Sequence, residues 1–221
     1  MSAHKLTITY VMVFCETMTR REIRLHSELM KSATYFASAA SLEGLPVNDR
    51  PQVAMIGRSN VGKSSLINHL VGMKDLAHSS SKPGRTQTIN LYEIDKKFFL
   101  ADLPGYGFAK KSAEQKAVFA GMIEDYLLNC EALALVLLII DTRIPPSELD
   151  ASMLEWLQFN QLPFVIVMNK VDKVKKNDLL KMHADLERNY PGIPRIEHSI
   201  DSDMHRKELL TIIENAVKLH S

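Results

Sequence analysis

The apolar positions of this 221-residue chain follow two periods that alternate along its length. Unbroken apolar runs at 53–56, 134–140 and 163–168 each stop abruptly at a glycine or a polar residue, as strands buried on both faces do. Between them the spacing changes. Leu66, Ile67 and Leu70 recur at the three-to-four interval of a helix face. Read through, the pattern predicts a short strand near Thr34–Ala37, the strand at 53–56, a helix, a polar loop, and strands at Ile89–Ile94 and Lys97–Ala101. A helix from about Ala113 follows, then the strand at 134–140 and a helix near Ser147–Phe159. The chain closes with the strand at 163–168, a helix near Asn177–Asn189, a short strand at Arg195–Glu197 and a helix from about Lys207. Alternating buried strands and helices predict an α/β fold: a mostly parallel, doubly wound sheet with helices on both faces and one antiparallel pair. In such folds ligands bind at the carboxyl ends of the strands, so the residues that end the strands carry the candidate chemistry.

Three strand ends stand out. The run at 53–56 leads into Gly57-Arg58-Ser59-Asn60-Val61-Gly62-Lys63-Ser64, which fits G-x-x-x-x-G-K-[ST]. A loop between strand and helix gathers backbone N–H groups and the positive end of the helix dipole at one point, which favours a polyanion. Gly57 and Gly62 permit close backbone approach, Lys63 reaches β- and γ-phosphates, and the Ser64 hydroxyl is placed to ligate Mg²⁺. Five of the nine glycines, at 57, 62, 84, 105 and 107, fall in proposed phosphate-facing loops, which packing alone does not produce.

The second strand end is Asp102-Leu103-Pro104-Gly105. An acid at this place holds Mg²⁺, often through water, and Gly105 presents a bare N–H to a γ-phosphate. Between the two motifs lies Ser79-Ser80-Ser81-Lys82-Pro83-Gly84-Arg85-Thr86-Gln87-Thr88, polar and rich in small residues, as expected of a loop that orders around γ-phosphate and metal. Thr86 is the first choice for a second hydroxyl ligand of Mg²⁺, and Thr88 the alternative.

The third end is Asn169-Lys170-Val171-Asp172. The Asp172 carboxylate pairs with the N1–H and exocyclic amine of guanine, a donor pair that adenine lacks, so the wrong base leaves a buried charge unpaired. Asn169 and Lys170 tie loops together and cover the base plane. Taken in this order, the motifs predict a guanine-nucleotide pocket that takes GTP or GDP with Mg²⁺.

Composition narrows the picture without changing it. Hydrophobic residues make up 46% and charged residues 24%, within the range of globular proteins, and the length suits one domain. A net charge of +1 argues against attachment to nucleic acid by bulk charge but leaves room for local patches, with Lys110-Lys111 and Lys173, Lys175 and Lys176 as candidates. Two cysteines, Cys15 and Cys130, make neither a disulfide framework nor a zinc site, and point to the cytoplasm. The run at 134–140 is far too short to cross a bilayer, so no membrane attachment is expected, and a monomer is. The eight histidines show no metal-binding spacing and read as surface or core residues. Residues 5–14 are an apolar stretch followed by the charged run Arg20–Arg24, with neither a basic leader nor a small-residue cleavage site. Three readings stay open for 1–29: an added edge strand, a disordered tail, or an upstream start with the domain beginning near Met30. The domain proper is expected over 30–221.

The stretches 57–65, 80–88 and Asp102-Leu103-Pro104-Gly105-Tyr106-Gly107-Phe108-Ala109 resemble the EngB (YihA/YsxC-type) branch of the TrmE–Era-like GTPases, and the resemblance runs from about residue 30 to the C-terminus. It implies a P-loop GTPase fold (a G domain), GTP hydrolysis with Mg²⁺, a part in assembly of the large ribosomal subunit, and a link to cell division and septation. The pre-ribosomal large subunit is the partner it implies. It also carries over a last base-contacting loop onto His198-Ser199-Ile200. Family members commonly have Thr at the place of Asn169 and aromatic-Ser-Ser in that last loop, with a Gly soon after where this chain has His205. Gly105 is followed by Tyr106 where Ras-type enzymes place a water-orienting Gln, so slow intrinsic hydrolysis is expected. Related GTPases with Asn at the place of Asn60 use it to hold K⁺, which makes potassium stimulation an expectation here. With Asn60 thus assigned, Lys63, Thr86 and Gly105 complete the expected catalytic set. A P-loop ATPase or nucleotide kinase is disfavoured by 169–172. A nucleotide-gated interaction protein of division sites, with hydrolysis incidental, is the alternative.

Overall fold

Strand β5 (Leu133–Asp141) is buried along its whole length except at its last residue, so it needs cover on both faces. The computed structural model, which describes residues 30, 32–77, 88–107 and 112–220, provides it. β5 lies inside a seven-stranded sheet with β1 (Ala33–Ala39), β2 (Gln52–Gly57), β3 (Ile89–Ile94), β4 (Phe98–Asp102), β6 (Phe164–Asn169) and β7 (Arg195–His198). The strand order is β1-β3-β4-β2-β5-β6-β7. Among the described residues five α-helices flank it: α1 (Lys63–Val71), α2 (Ala113–Asn129), α3 (Glu148–Phe159), α4 (Lys176–Asn189) and α5 (Asp203–His220).

The two-residue period of the strands sorts side chains into two cores. Ala54 and Ile56 of β2, with Val136, Leu138 and Ile140 of β5, meet Phe119, Ile123 and Tyr126 of α2, Leu154 and Leu157 of α3, and Leu186 of α4. Val53 and Met55, with Leu135, Leu137 and Ile139, face the other way, onto Leu66, Ile67 and Leu70 of α1 and Leu209, Ile213 and Ala216 of α5. The register of β2 against β5 shifts between Gln52 and Val53. There the buried Tyr126 hydroxyl donates to the Gln52 side chain, giving that phenol a partner inside the core.

Capping residues set two helix starts. Ser112 and Gln115 form a capping box at α2, and Ser147 and Asp150 another at α3. α5 starts at Asp203, earlier than the apolar period alone suggests, because an acid in the first turn suits the helix dipole.

One expectation needs correction. The sheet holds two antiparallel pairs, because β1 lies beside β3 as well as β3 beside β4. β1 runs as the edge strand from Ala33 opposite Ile94 to Ala39 opposite Ile89, with a bulge between Tyr35 and Ala37. The half-exposed Phe36 rests on the buried Phe99 ring, 4.9 Å between centroids, and the Arg50 guanidinium covers that ring from 4.2 Å. An edge strand anchored by cross-strand rings has no periodic signal of its own, so its pairing is not written in its sequence.

Candidate functional site

β2 delivers the chain to the phosphate-loop stretch and α1 carries it away. α1 starts at Lys63 with no side chain capping it, so the first N–H groups and the helix dipole are directed at the loop. Ser64 follows Lys63 in the first turn and is half-buried, as are Arg58 and Ser59, whereas Asn60 is exposed. Gly62 has φ +106°, and a Cβ there would stand 2.6 Å from Asn169 Nδ2. The residue is glycine both because its backbone is left-handed and because another strand's side chain fills the space.

The end of β4 comes alongside. Asp102 is buried, and its Oδ1 has no hydrogen-bond partner. Burial pushes its carboxyl up to about 6, against the pull of the Lys63 charge. The same burial lowers the Lys63 ammonium, against the pull of Asp102. Two charges are therefore held in a poorly solvated place where each stabilises the other only in part. Leu103 and Pro104 are buried behind them, with the Leu103 N–H donating to the Met55 carbonyl at 3.2 Å.

Gly105 lies directly on the phosphate loop: an added Cβ would be 3.0 Å from both Lys63 Nζ and the Ser59 nitrogen. The next residue locks the two segments together. Tyr106 donates its N–H to the Gly57 carbonyl (3.2 Å), and its carbonyl accepts from the Ser59 N–H (2.9 Å) and hydroxyl (3.2 Å). The Tyr106 hydroxyl donates to Asp150 at the start of α3, 2.9 Å away. Burial and the Asp150 charge raise that phenol well above its ordinary value, so it stays protonated.

The base-motif stretch closes the other side of the loop. Asn169 ends β6; its Nδ2 donates to the Val61 carbonyl at 2.9 Å, and its own carbonyl accepts from the Thr142 N–H and hydroxyl at 3.0 and 2.8 Å. Lys170 has a left-handed backbone, φ +67°, and its ammonium reaches the Asn60 carbonyl at 3.0 Å and Asp141 at 2.7 Å. Burial pushes the Asp141 carboxyl up, but hydrogen bonds from Arg143 and Lys170 outweigh it and bring it to about 2. Val171 is buried under a short 3₁₀ turn. Asp172 is bonded to Lys173 at 2.6 Å; that bond, opposed by burial and aided by the Ser199 hydroxyl, holds its carboxyl low. It is therefore a carboxylate, as an acceptor of two N–H donors has to be.

The last expected loop divides. Ser199 is buried against Asp172, Ile200 is 54% exposed, and the His198 ring is wholly buried with Nδ1 2.9 Å from Asn169 Oδ1. His198 Nε2 meets His69 Nδ1 at 2.9 Å. Asp141, Thr142 and His69 thus belong to the site's framework though no motif pointed to them. For Asp141 and Thr142 a signal existed, because they end the central apolar run beside the other strand ends. For His69 there was none, because its partner lies 129 residues away.

Gly84, Arg85, Thr86 and Gln87, and Lys110 and Lys111, lie outside the described residues. Thr88, the alternative hydroxyl, immediately precedes β3 with its Oγ1 3.4 Å from Asn90 Oδ1. Among the described residues no group of three His, Cys, Asp or Glu side chains forms a ready metal centre.

Residues 52–170 match the family model described as 50S ribosome-binding GTPase. The probable GTP-binding protein EngB of Lactobacillus acidophilus is 40% identical over 193 residues, covering 86% of this chain and 98% of its own length. The probable GTP-binding protein EngB of Cytophaga hutchinsonii is 41% identical over 192 residues, covering 85% and 96%. Among solved structures, a probable GTP-binding protein EngB superposes with a TM-score of 0.62 at 22% identity, over 76% of this chain and 98% of that one, a likeness of fold. The G domain of the T. maritima FeoB iron transporter gives 0.52 at 30% identity, over the same shares.

Proposed function

This chain belongs to the EngB family of GTP-binding proteins, a family of GTPases, and from that membership we propose that it binds GTP and GDP at the strand-end site, hydrolyses GTP slowly with Mg²⁺, and acts in assembly of the large ribosomal subunit. The observation that carries the reading is the meeting of Lys63, the buried Asp102 carboxylate and Gly105 on one side of the phosphate loop, with Asn169 bonded to its other side.

In this reading 57–64 wraps the α- and β-phosphates, Lys63 neutralises the β- and γ-phosphates, and the Gly105 N–H meets the γ-phosphate. Asp172 receives the two guanine donors, with Ser199 steadying its carboxylate. Mg²⁺ fits the residues present, since the unpartnered Oδ1 of Asp102 is a buried acceptor beside the phosphate loop. Ser64 and Thr86 would hold the ion, with Asp102 acting through water, and bound Mg²⁺ supplies charge neutralisation on the transferring phosphoryl group. Tyr106 turns its hydroxyl to Asp150, so it does not orient water, which supports a slow intrinsic rate. The exposed Asn60 is the residue through which K⁺ would act. Turnover should then be faster in potassium than in sodium chloride, and Asn60→Ala should abolish the difference; equal rates in both salts for the parent remove the idea.

The G domain extends over 30–221 in this proposal, because β1 and α5 complete the sheet and its cover outside the matched 52–170. The ribosomal role rests on the family model's description, and the association with division and septation on the resemblance alone. Among the described residues no helix is long and apolar enough to cross a membrane. Lys175 and Lys176 are exposed at the start of α4 and free to face rRNA phosphates, whereas Lys173 is engaged with Asp172. Two measurements test the proposal. ATP should fail to displace a fluorescent GTP analogue that GTP and GDP displace. Purified large-subunit precursors should co-sediment with the GTP form more than with the GDP form, and less so as salt rises. Equal co-sedimentation of the two forms across the salt series sinks the nucleotide gating, and failure of either form to co-sediment sinks the ribosomal role.

A further inference from the structure

His198 is a wholly buried polar ring at the end of β7, where an apolar side chain would ordinarily complete the core. Its contacts fix where every hydrogen in its neighbourhood lies. The Val61 carbonyl can only accept, so the Asn169 atom 2.9 Å away is the NH₂ nitrogen and the other is the carbonyl oxygen. Asn169 Oδ1 in turn can only accept, so His198 Nδ1 carries a hydrogen. In a neutral ring Nε2 then accepts, and the donor is His69 Nδ1 at 2.9 Å. The donors run in one direction, from α1 through two imidazoles and an amide to the phosphate loop.

The surroundings keep both rings neutral. Burial lowers His198 to about 3, the His69 and His205 charges act in the same sense, and only Asp172 opposes them. His69 is lowered by burial first and by Arg206 next, with Asp203 and Asp201 opposing and His205 adding. Arg206 of α5 also holds the end of α1, its Nε donating to the His69 carbonyl at 2.7 Å and to the Leu70 carbonyl at 3.0 Å. His69 is thus fixed at its backbone as well as at its ring.

We propose that His198 and His69 are positioning residues of the nucleotide site: the pair locks the Asn169 amide so that its NH₂ grips the phosphate loop at Val61, and so slows the escape of bound guanine nucleotide. The proposal rests on the guanine-nucleotide reading above. Its logic is that His69 selects the tautomer of His198. Without the His69 donor, His198 is free to carry its hydrogen on Nε2, and a bare Nδ1 then faces Asn169 Oδ1, lone pair against lone pair. The amide relieves this by turning over, which places its oxygen against the Val61 carbonyl and breaks the grip.

The test uses the full chain loaded with a fluorescent GDP analogue. His69→Phe keeps an aromatic ring at a half-buried position but removes the donor, and should speed analogue release about tenfold, the effect of one buried hydrogen bond. His198→Leu should do the same, and His198→Gln, which keeps a donor and an acceptor, should restore most of the parent rate. In an Asn169→Ala background His69→Phe should add nothing, because its route is gone. Nitrogen-15 spectra should show His198 protonated at Nδ1 in the parent and a mixture of tautomers in His69→Phe; this readout and the His69→Phe rate stand even where His198→Leu fails to fold. Parent-like release from His69→Phe, or an undiminished effect of His69→Phe in the Asn169→Ala background, overturns the proposal. Asp172→Asn run in parallel separates the two levels. If it loses guanine preference while His69→Phe releases normally, only the histidine inference fails; if guanine preference survives Asp172→Asn, the base-pocket reading falls and the inference with it.

Discussion

Asn169 and Asp102 are both buried polar residues at the carboxyl ends of strands, yet the fold treats them differently. Asn169 has its amide nitrogen on Val61, its amide oxygen on His198 and its carbonyl on Thr142. Asp102 has an oxygen with no partner and a carboxyl pushed up to about 6. In the proposed site the base side is finished by the protein's own bonds, and recognition of guanine there would be a matter of geometry already set. The proposed phosphate side holds a charge pair at an electrostatic cost that ligand and metal would offset, so binding there would be coupled to protonation and ionic conditions.

The largest effect that sharpens this comparison is expected at the base side. Asp172→Asn should weaken GTP by about 3 kcal/mol, the scale of hydrogen bonds to a charged group, and shift preference toward xanthine nucleotides. Calorimetric titration with GTP and XTP measures it, and parent-like GTP affinity would remove the base half of the contrast.

Asp102→Asn probes the other half. A carboxyl whose folded value, about 6, lies above its ordinary 3.8 binds its proton more tightly in the fold than in the unfolded chain. Its stabilising contribution is therefore complete below about pH 4 and lost as pH rises through about 6. The nucleotide-free parent should lose on the order of 1–3 kcal/mol across that window. Asp102→Asn should lack this slope, melt higher at neutral pH, and bind GTP with little benefit from Mg²⁺. A pH slope unchanged by the substitution contradicts the account of Asp102.

Gly62→Ala tests how finished the base side is. Its Cβ would stand 2.6 Å from Asn169 Nδ2 on a backbone of φ +106°, and the strain should cost about 1–3 kcal/mol in thermal unfolding while weakening every nucleotide alike. Loss confined to guanine nucleotides would show that the loop had adjusted and the base contact had not. The smallest effect is reserved for Tyr106→Phe, which removes one hydroxyl bond to Asp150 and should cost about 1 kcal/mol of stability with the hydrolysis rate unchanged. A tenfold fall in turnover would give that phenol a chemical role.

The strand ends bearing chemistry were legible because buried parallel strands are written as unbroken apolar runs, and each run here stops at the residue that matters: Gly57, Asp102, Asn169. The pairing of β1 with β3 was not legible, since an edge strand with one wet face is specified by partners such as Tyr92 and Phe99 far along the chain. The inward turn of His198 was hidden for a related reason. A histidine after a short strand reads as a loop residue until His69, on a different helix, is known to face it. Periodicity reports which face is buried, but it does not report which buried polar groups find each other.

The bond from Asn169 to Val61 joins residues 108 apart, with β4 and β5 laid down between them in the chain. During synthesis Val61 leaves the ribosome before Asn169 has been added, so the bond cannot form until the strands between them have been made. If that bond slows nucleotide escape as proposed, tight holding of nucleotide waits for Asn169. A growing chain that ends before Asn169 has the glycines and the lysine of the loop but not this bond. Once the grip is made, every bound nucleotide adds to the stability of the whole domain by mass action. The motif met first along the sequence is thus completed by a residue that comes much later in it.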